Sequence, residues 1–290
     1  MNASNGVAFT PRTCEELFGV WAGQPEARLL AGGTDLLVRL KKVAAWPPLI
    51  ALERVSELRG IQCVNGWLQI RACSTYCELA EDHFVQAYAP ALAEAARDVG
   101  APAIRARGTL GGNLANASPA GDSIPPLYVA DALVELRSAA GTREVPITEF
   151  FRGPGQTLLQ PQELICAVRL PIRRGWREAF VRLGQRAALT IAKVSVAVAV
   201  RVERDVVQEA RIALGAVAPT VIRAREAEVW LCGRRLDEKT CEAAGAAAAR
   251  AAEPISDIRS VADYRRAMCA VLVREALCRV SGQRGVHEHA

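Results

Sequence analysis

The chain has 290 residues, 51% hydrophobic and 23% charged, with a net charge of +5, the profile of a folded globular protein of two domains or one large one. Nearly all the positive charge is arginine interspersed with acids, and lysine occurs only at Lys41, Lys42, Lys193 and Lys239, which argues against a nucleic-acid-binding tail. The cysteine count is odd, at nine, without a Cys-x-x-Cys pair, so neither a disulfide framework nor a zinc or iron–sulfur site is expected.

Met1–Thr10 lacks the basic start and apolar core of a signal peptide. No apolar run approaches the roughly 18 residues of a membrane helix, so a reduced, cytoplasmic setting is expected. Thr13 is placed to cap a helix over Glu15–Ala22. Arg28, Leu29, Leu30 and Ala31 read as a short buried strand. Gly32, Gly33, Thr34 and Asp35 break it, Leu36–Lys42 reads as a helix, and Leu49–Leu52 as a second strand. Strand, glycine turn, helix, strand is a βαβ-like unit.

A hairpin follows, Ile61–Val64 and Trp67–Ala72, around an Asn65–Gly66 pair suited to a type I′ turn. Helices are expected over Thr75–Asp82 and Pro90–Val99, the latter between a starting proline and Gly100. Ala101–Ser123 reads as an extended glycine-rich loop. A second hairpin, Ala132–Arg137 and Thr142–Val145, turns at Gly141, and a strand over Glu163–Leu170 stops at Pro171. Antiparallel strands are expected at Ala179–Leu183, Ile191–Glu203 and Val207–Ala216. Helical stretches follow at Ala224–Ala252, broken near Gly233, and at Val261–Val280. Residues 283–290 read as a frayed tail. The expected division is 1–173, with subdomains about 1–58 and 59–173, then 174–282.

Two glycine-rich segments carry the chemistry. In Leu29–Asp35 a strand ends, glycines remove the Cβ obstruction and a helix begins, so unpaired backbone N–H groups could take a phosphate. Thr34 adds a hydroxyl, and Asp35 can cap the helix at Leu37 or Val38. Taken alone, the segment reads more readily as a plain turn with a helix cap. The second segment runs from Thr109, Leu110, Gly111, Gly112 and Asn113 through Asp122 to Ser123. A loop so long, with so little to bury, is a functional element or a solvated linker. Two such loops from different subdomains could clamp one extended dinucleotide. Neither G-x-G-x-x-G nor G-x-x-x-x-G-K-[ST] is present. The histidines are His83, His287 and His289 only, too few and too dispersed for a histidine-based triad or metal centre.

Ala31–Leu36, Thr109–Asp122, Gly153–Pro154–Gly155 with Glu163–Leu164, and Ala213–Thr220 with Ile222–Arg223 together resemble the FAD-binding, or medium, subunit of molybdenum hydroxylases. The resemblance implies an α+β fold: a two-subdomain FAD-binding domain like that of the PCMH and vanillyl-alcohol oxidase proteins, then a smaller domain of antiparallel strands and helices. It implies FAD contacts from Arg28 to Asp35 and from Thr109 to Asn113, with Asp122, Leu164 and Arg182 beside them. Arg182 stands where the family often has lysine, and the two are not interchangeable in shape. It implies a large molybdopterin-binding partner, a small [2Fe–2S] partner, a dimer of heterotrimers, and NAD as acceptor in a xanthine dehydrogenase-type enzyme. Carbon monoxide dehydrogenase and N-heterocycle or aldehyde hydroxylase subunits are alternatives, and a non-catalytic nucleotide-binding scaffold is an alternative of another class. No cysteine-rich insertion of the 4-hydroxybenzoyl-CoA reductase branch is present.

Overall fold

The computed structural model describes residues 6–186 and 189–282; the tail expected at 283–290 lies outside them. The first unit comprises β1 (Ala8–Phe9), α1 (Cys14–Gly23), β2 (Arg28–Leu30), α2 (Leu36–Leu40) and β3 (Leu49–Ala51). The Thr13 hydroxyl accepts the Glu16 N–H and starts α1. β3 lies between β1 and β2, parallel to both. This is the expected βαβ unit with an added edge strand, too short at two residues to show a period. Cys14, Leu17, Ile50, Val55 and Leu58 close its core.

The second unit begins with β4 (Ile61–Val64) and β5 (Trp67–Arg71), joined as expected by Asn65 and Gly66, both at positive φ. Five helices follow: α3 (Tyr76–Glu81), α4 (His83–Tyr88), α5 (Pro90–Asp98), α6 (Pro102–Arg105) and α7 (Leu110–Asn116). Then come α8 (Ile124–Val129), β6 (Leu133–Ser138), β7 (Gly141–Pro146), α9 (Ile147–Phe150), β8 (Phe151–Gly153), β9 (Gln156–Thr157) and β10 (Leu164–Pro171). The five-stranded sheet runs β4–β5–β10–β6–β7, every pair antiparallel. The last strand in sequence is thus its centre, between two hairpins. Residues 164–168 are all buried, as a central strand covered on both faces requires. At its start Glu163 takes a bidentate ion pair from Arg143, both contacts at 2.7 Å.

The segment 101–123 is not the extended loop expected from its glycines. Thr109 caps α7 by accepting the Gly112 N–H, and residues 108–111 are laced to residues 72–76 by backbone bonds. These run from Tyr76 N to Gly108 O, from Leu110 N to Ser74 O and from Gly111 N to Ala72 O. Tertiary pairing overrides the poor helix propensity of Gly111, Gly112 and Asn113. Asp35 is a second correction. It already has helical dihedrals and makes no capping hydrogen bond, so its carboxylate is left to the solvent side of the turn.

The C-terminal unit contains β11 (Trp176–Leu183), β12 (Val194–Glu203), β13 (Val206–Gly215) and β14 (Ile222–Arg223), then α10 (Arg225–Leu231), α11 (Glu238–Ala249) and α12 (Ala262–Ser281). Its four strands are antiparallel in that order. The long middle strand begins at Val194 rather than Ile191. One face of β12 presents Val194, Val196, Val198 and Val200 to the helices behind it. The opposite face presents Ala197 and Ala199 to the core of the second unit, the period-2 alternation of a strand covered on both sides. The seam between the units is polar as well. Glu94 of α5 accepts the Phe180 N–H at 2.7 Å. Asp131 receives Arg173, Arg211 and Arg223 at 3.3, 2.6 and 3.3 Å, and Trp176 lies between the guanidinium groups of Arg173 and Arg211, each 4.4 Å from the ring. Among the described residues no helix is long and apolar enough to cross a membrane, and no cluster of three metal-ligating side chains occurs.

Candidate cofactor cleft

The two glycine segments meet. A Cβ on Gly32 would stand 1.8 Å from the carbonyl oxygen of Arg107 and 3.1 Å from the Cα of Gly108. Gly32 therefore exists because the turn after β2 is pressed against the segment entering α7. Gly111 has a similar cause, since its Cβ would stand 2.6 Å from the Ala72 methyl group. Both glycines are accounted for by protein packing, where the sequence pointed to ligand approach. Gly33 has φ +77°, a conformation glycine adopts freely.

Beside this junction lies a cleft of about 320 Å³. Its first wall is Arg28, Leu29, Ala31, Gly32, Gly33, Thr34 and Asp35, continued by Leu36 and Arg39. Its second wall includes Tyr76, Thr109, Gly112, Asn113 and Asn116. It shares Asp35, Tyr76, Asn113 and Asn116 with a wider trough of about 530 Å³ that runs past Asp122 to Leu189, Thr190 and Ile191 of the C-terminal unit. Each volume falls in the roughly 300–1,000 Å³ range of ligand pockets.

The two walls offer different chemistry. Among the described residues the N–H groups of Gly32, Gly33, Thr34 and Asp35 have no protein acceptor. Those of Leu110, Gly111, Gly112 and Asn113 are all taken, by Ser74 O, Ala72 O, the Thr109 hydroxyl and Thr109 O. Free main-chain donors are thus concentrated in the first wall, where the sequence points to both. The second wall contributes side chains instead. Asn113 accepts the Ser123 hydroxyl through Oδ1 at 2.8 Å, and burial pushes the Tyr76 phenol up.

At the far end Asp122 is buried, and its Oδ2 receives Arg182 Nη1 at 2.8 Å while Oδ1 has no partner. Burial pushes this carboxyl up to about 7, with Arg182 pulling against the rise. Arg182 also donates to Thr190 O at 3.1 Å and lies 3.7 Å from Asp98. It therefore ties β11 to the trough wall from behind and does not line the cavity. Leu30, Leu110, Gly111 and Leu164 do not line it either. Leu110 is in the core of the second unit, and Leu164 is 2% exposed against the core of the first. Asn116, a hydrogen-bonding group of the second segment, does line it, as do Arg39 and Tyr76, which were not anticipated. The signal for Arg39 was its position three residues after Leu36 on one helix, which puts both on one face.

The residues present fit a dinucleotide. Four free amides and Arg28 suit a diphosphate, and the unpartnered Asp122 Oδ1 supplies an acceptor deep in the trough. A cleft between a small parallel unit and an antiparallel unit, closed at one end by a third domain, defines a two-subdomain dinucleotide-binding protein. The chain belongs to the FAD-binding medium subunits of the molybdenum hydroxylases, an oxidoreductase family. Residues 3–173 match the FAD binding domain in molybdopterin dehydrogenase, and residues 179–280 match the CO dehydrogenase flavoprotein C-terminal domain. The chain is 32% identical over 279 residues to the xanthine dehydrogenase FAD-binding subunit of Escherichia coli O157:H7, covering 93% of this chain and 96% of that one. It is 37% identical over 255 residues to the carbon monoxide dehydrogenase medium chain of Hydrogenophaga pseudoflava, covering 87% and 88%. Among solved structures, a carbon monoxide dehydrogenase from Hydrogenophaga pseudoflava superposes with a TM-score of 0.91 at 34% identity, over 98% of this chain and 100% of that one. Quinoline 2-oxidoreductase from Pseudomonas putida 86 gives 0.91 at 31%, over 98% and 99%.

Proposed function

We propose that the cleft holds one FAD and that the chain carries electrons between partner subunits and a final acceptor. The observation that supports this most directly is the row of unpartnered amides at residues 32–35, flanked by Arg28, facing a cavity of dinucleotide size. These amides and Thr34 would hold the diphosphate. Asn113 would meet hydroxyl groups on the opposite wall. Asp122, oriented by Arg182, would present its free oxygen to the ring end, and Thr190 and Ile191 would bound that end against the C-terminal domain. FAD, when bound, supplies the exchange between one-electron donors and two-electron acceptors. The chain's own contribution is positioning, hydrogen bonding and exclusion of water.

In this reading the electrons come from [2Fe–2S] clusters of a small partner, fed by a large molybdopterin-binding subunit, within a dimer of heterotrimers. NAD⁺ is the acceptor we favour, with a xanthine dehydrogenase-type holoenzyme in the cytoplasm. The domain division we propose is 1–173 and 174–282. A carbon monoxide dehydrogenase-type holoenzyme is the second reading, favoured by the identity to the Hydrogenophaga medium chain. The purified chain should be yellow, or become so on reconstitution, with one FAD per chain. A chain that stays colourless after incubation with FAD refutes the carrier and leaves a nucleotide-binding scaffold. Anaerobic bleaching of the assembled enzyme by xanthine or by carbon monoxide decides between the two types.

A further inference from the structure

Only three of the residues lining the inner cleft carry charge: Arg28, Asp35 and Arg39. Most arginines of this chain that approach another side chain do so at a carboxylate, as Arg143, Arg173, Arg211 and Arg223 do. Arg39 does not. Its Nη2 reaches across the mouth of the cleft from α2 to Oδ1 of Asn116 on α7, a neutral acceptor, and it has no carboxylate partner among the described residues. A guanidinium is always charged and strongly prefers an anionic fork. A neutral amide is a weak partner for it, readily exchanged. Its starting point, one turn along α2 from the free amides of Thr34 and Asp35, keeps it on the wall where the diphosphate would lie.

We infer that Arg39 is a diphosphate ligand held in reserve. On cofactor entry its guanidinium leaves Asn116 and pairs with the diphosphate, and the Asn116 amide is released. This rests on the FAD reading above and adds a residue to it. The bridge between the walls is then a resting contact of the ligand-free chain, replaced when the anion binds.

The test measures FAD affinity of the full chain at low and high salt for wild type, Arg39→Gln, Arg39→Lys and Asn116→Ala, with ADP and riboflavin as competitors. Arg39→Gln should weaken FAD by about ten-fold at low salt, the worth of one charge-assisted contact, and less at high salt. Arg39→Lys should restore part of the loss. ADP should lose affinity in the same proportion and riboflavin should not. Asn116→Ala should bind FAD as tightly as wild type or more tightly. Equal FAD affinity in wild type and Arg39→Gln overturns the inference while leaving the FAD reading intact. An Asn116→Ala chain weakened as much as Arg39→Gln also overturns it, since the contact would then be a neutral clasp. A wild-type chain that binds neither FAD nor ADP overturns the FAD reading itself. Arg39 is exposed, so an unchanged thermal midpoint in Arg39→Gln separates lost binding from lost fold.

Discussion

Substituting Gly32 by alanine tests whether the junction of the two subdomains sets the geometry of the cleft. The added methyl group would lie 1.8 Å from the Arg107 carbonyl oxygen, whereas real Cβ atoms essentially never come within 3.0 Å of such an atom. The turn and the 104–108 segment must therefore part by at least about 1 Å, and such overpacking costs about 1–3 kcal/mol. Both sides of the contact are backbone, so no side-chain rotation relieves it. The free amides of residues 32–35 move with the turn. Loss of one charge-assisted hydrogen bond to the diphosphate is worth about 1.5–3 kcal/mol, about ten- to a hundred-fold or slightly more in FAD affinity. The assay pairs urea unfolding with FAD titration, and Gly19→Ala serves as the control. Gly19 lies in α1 with nothing within 4 Å of an added Cβ, so that variant should keep its affinity. Gly32→Ala matching Gly19→Ala in both midpoint and affinity would refute the reasoning.

Burial pushes both Asp122 and Glu178 up to about 7, against opposing pulls from Arg182 and Arg173. Unfolded carboxyls titrate near 4. The folded chain therefore binds the extra protons between those values, and the associated stability is complete below about 4 and lost as pH rises to about 7. The slope is at most about 1.4 kcal/mol per pH unit for each group. Asp122→Asn should flatten the fall between pH 5 and pH 8 measured by urea unfolding, and identical slopes in the two proteins would contradict the assignment. Glu228 is 5% exposed and accepts the Ile212 N–H and Arg223 Nη2, each at 2.9 Å. Glu228→Ala should cost about 3–5 kcal/mol because Arg223 stays buried without its principal partner. A double change, Glu228→Leu with Arg223→Met, should recover much of that loss in the same unfolding assay, and a double variant no more stable than the single one would contradict this account.

Local signals in the sequence decided several short segments correctly. Asn65–Gly66 is a turn with positive φ at both positions, and Gly32–Asp35 does separate a strand from a helix. The family motifs placed both glycine segments at one cleft. What stayed hidden depends on partners far away in the chain. Residues 110–116 form a helix because residues 72–76 hold their approach, which no helix propensity of Gly111 or Gly112 announces. The amides of Leu110 and Gly111 are taken by the same contacts and those of Gly112 and Asn113 by Thr109, which the glycine pattern does not reveal. Leu164 sits in a motif yet faces a hydrophobic core, and Arg182 acts through Asp122 and Thr190. The cross-cleft reach of Arg39 to Asn116 needed coordinates.

The placement of β10 bears on how the protein comes off the ribosome. Leu164 and Cys166 complete the core of the first unit, whereas Ile165, Val168 and Leu170 complete that of the second, the change of side falling at an irregularity in the pairing between Ile165 and Ala167. Until that strand has been translated, two hairpins lack their common neighbour and the cores of both units lack part of their packing. Pairing so distant in sequence forms late. Nascent chains shorter than about this point therefore carry an open apolar slot.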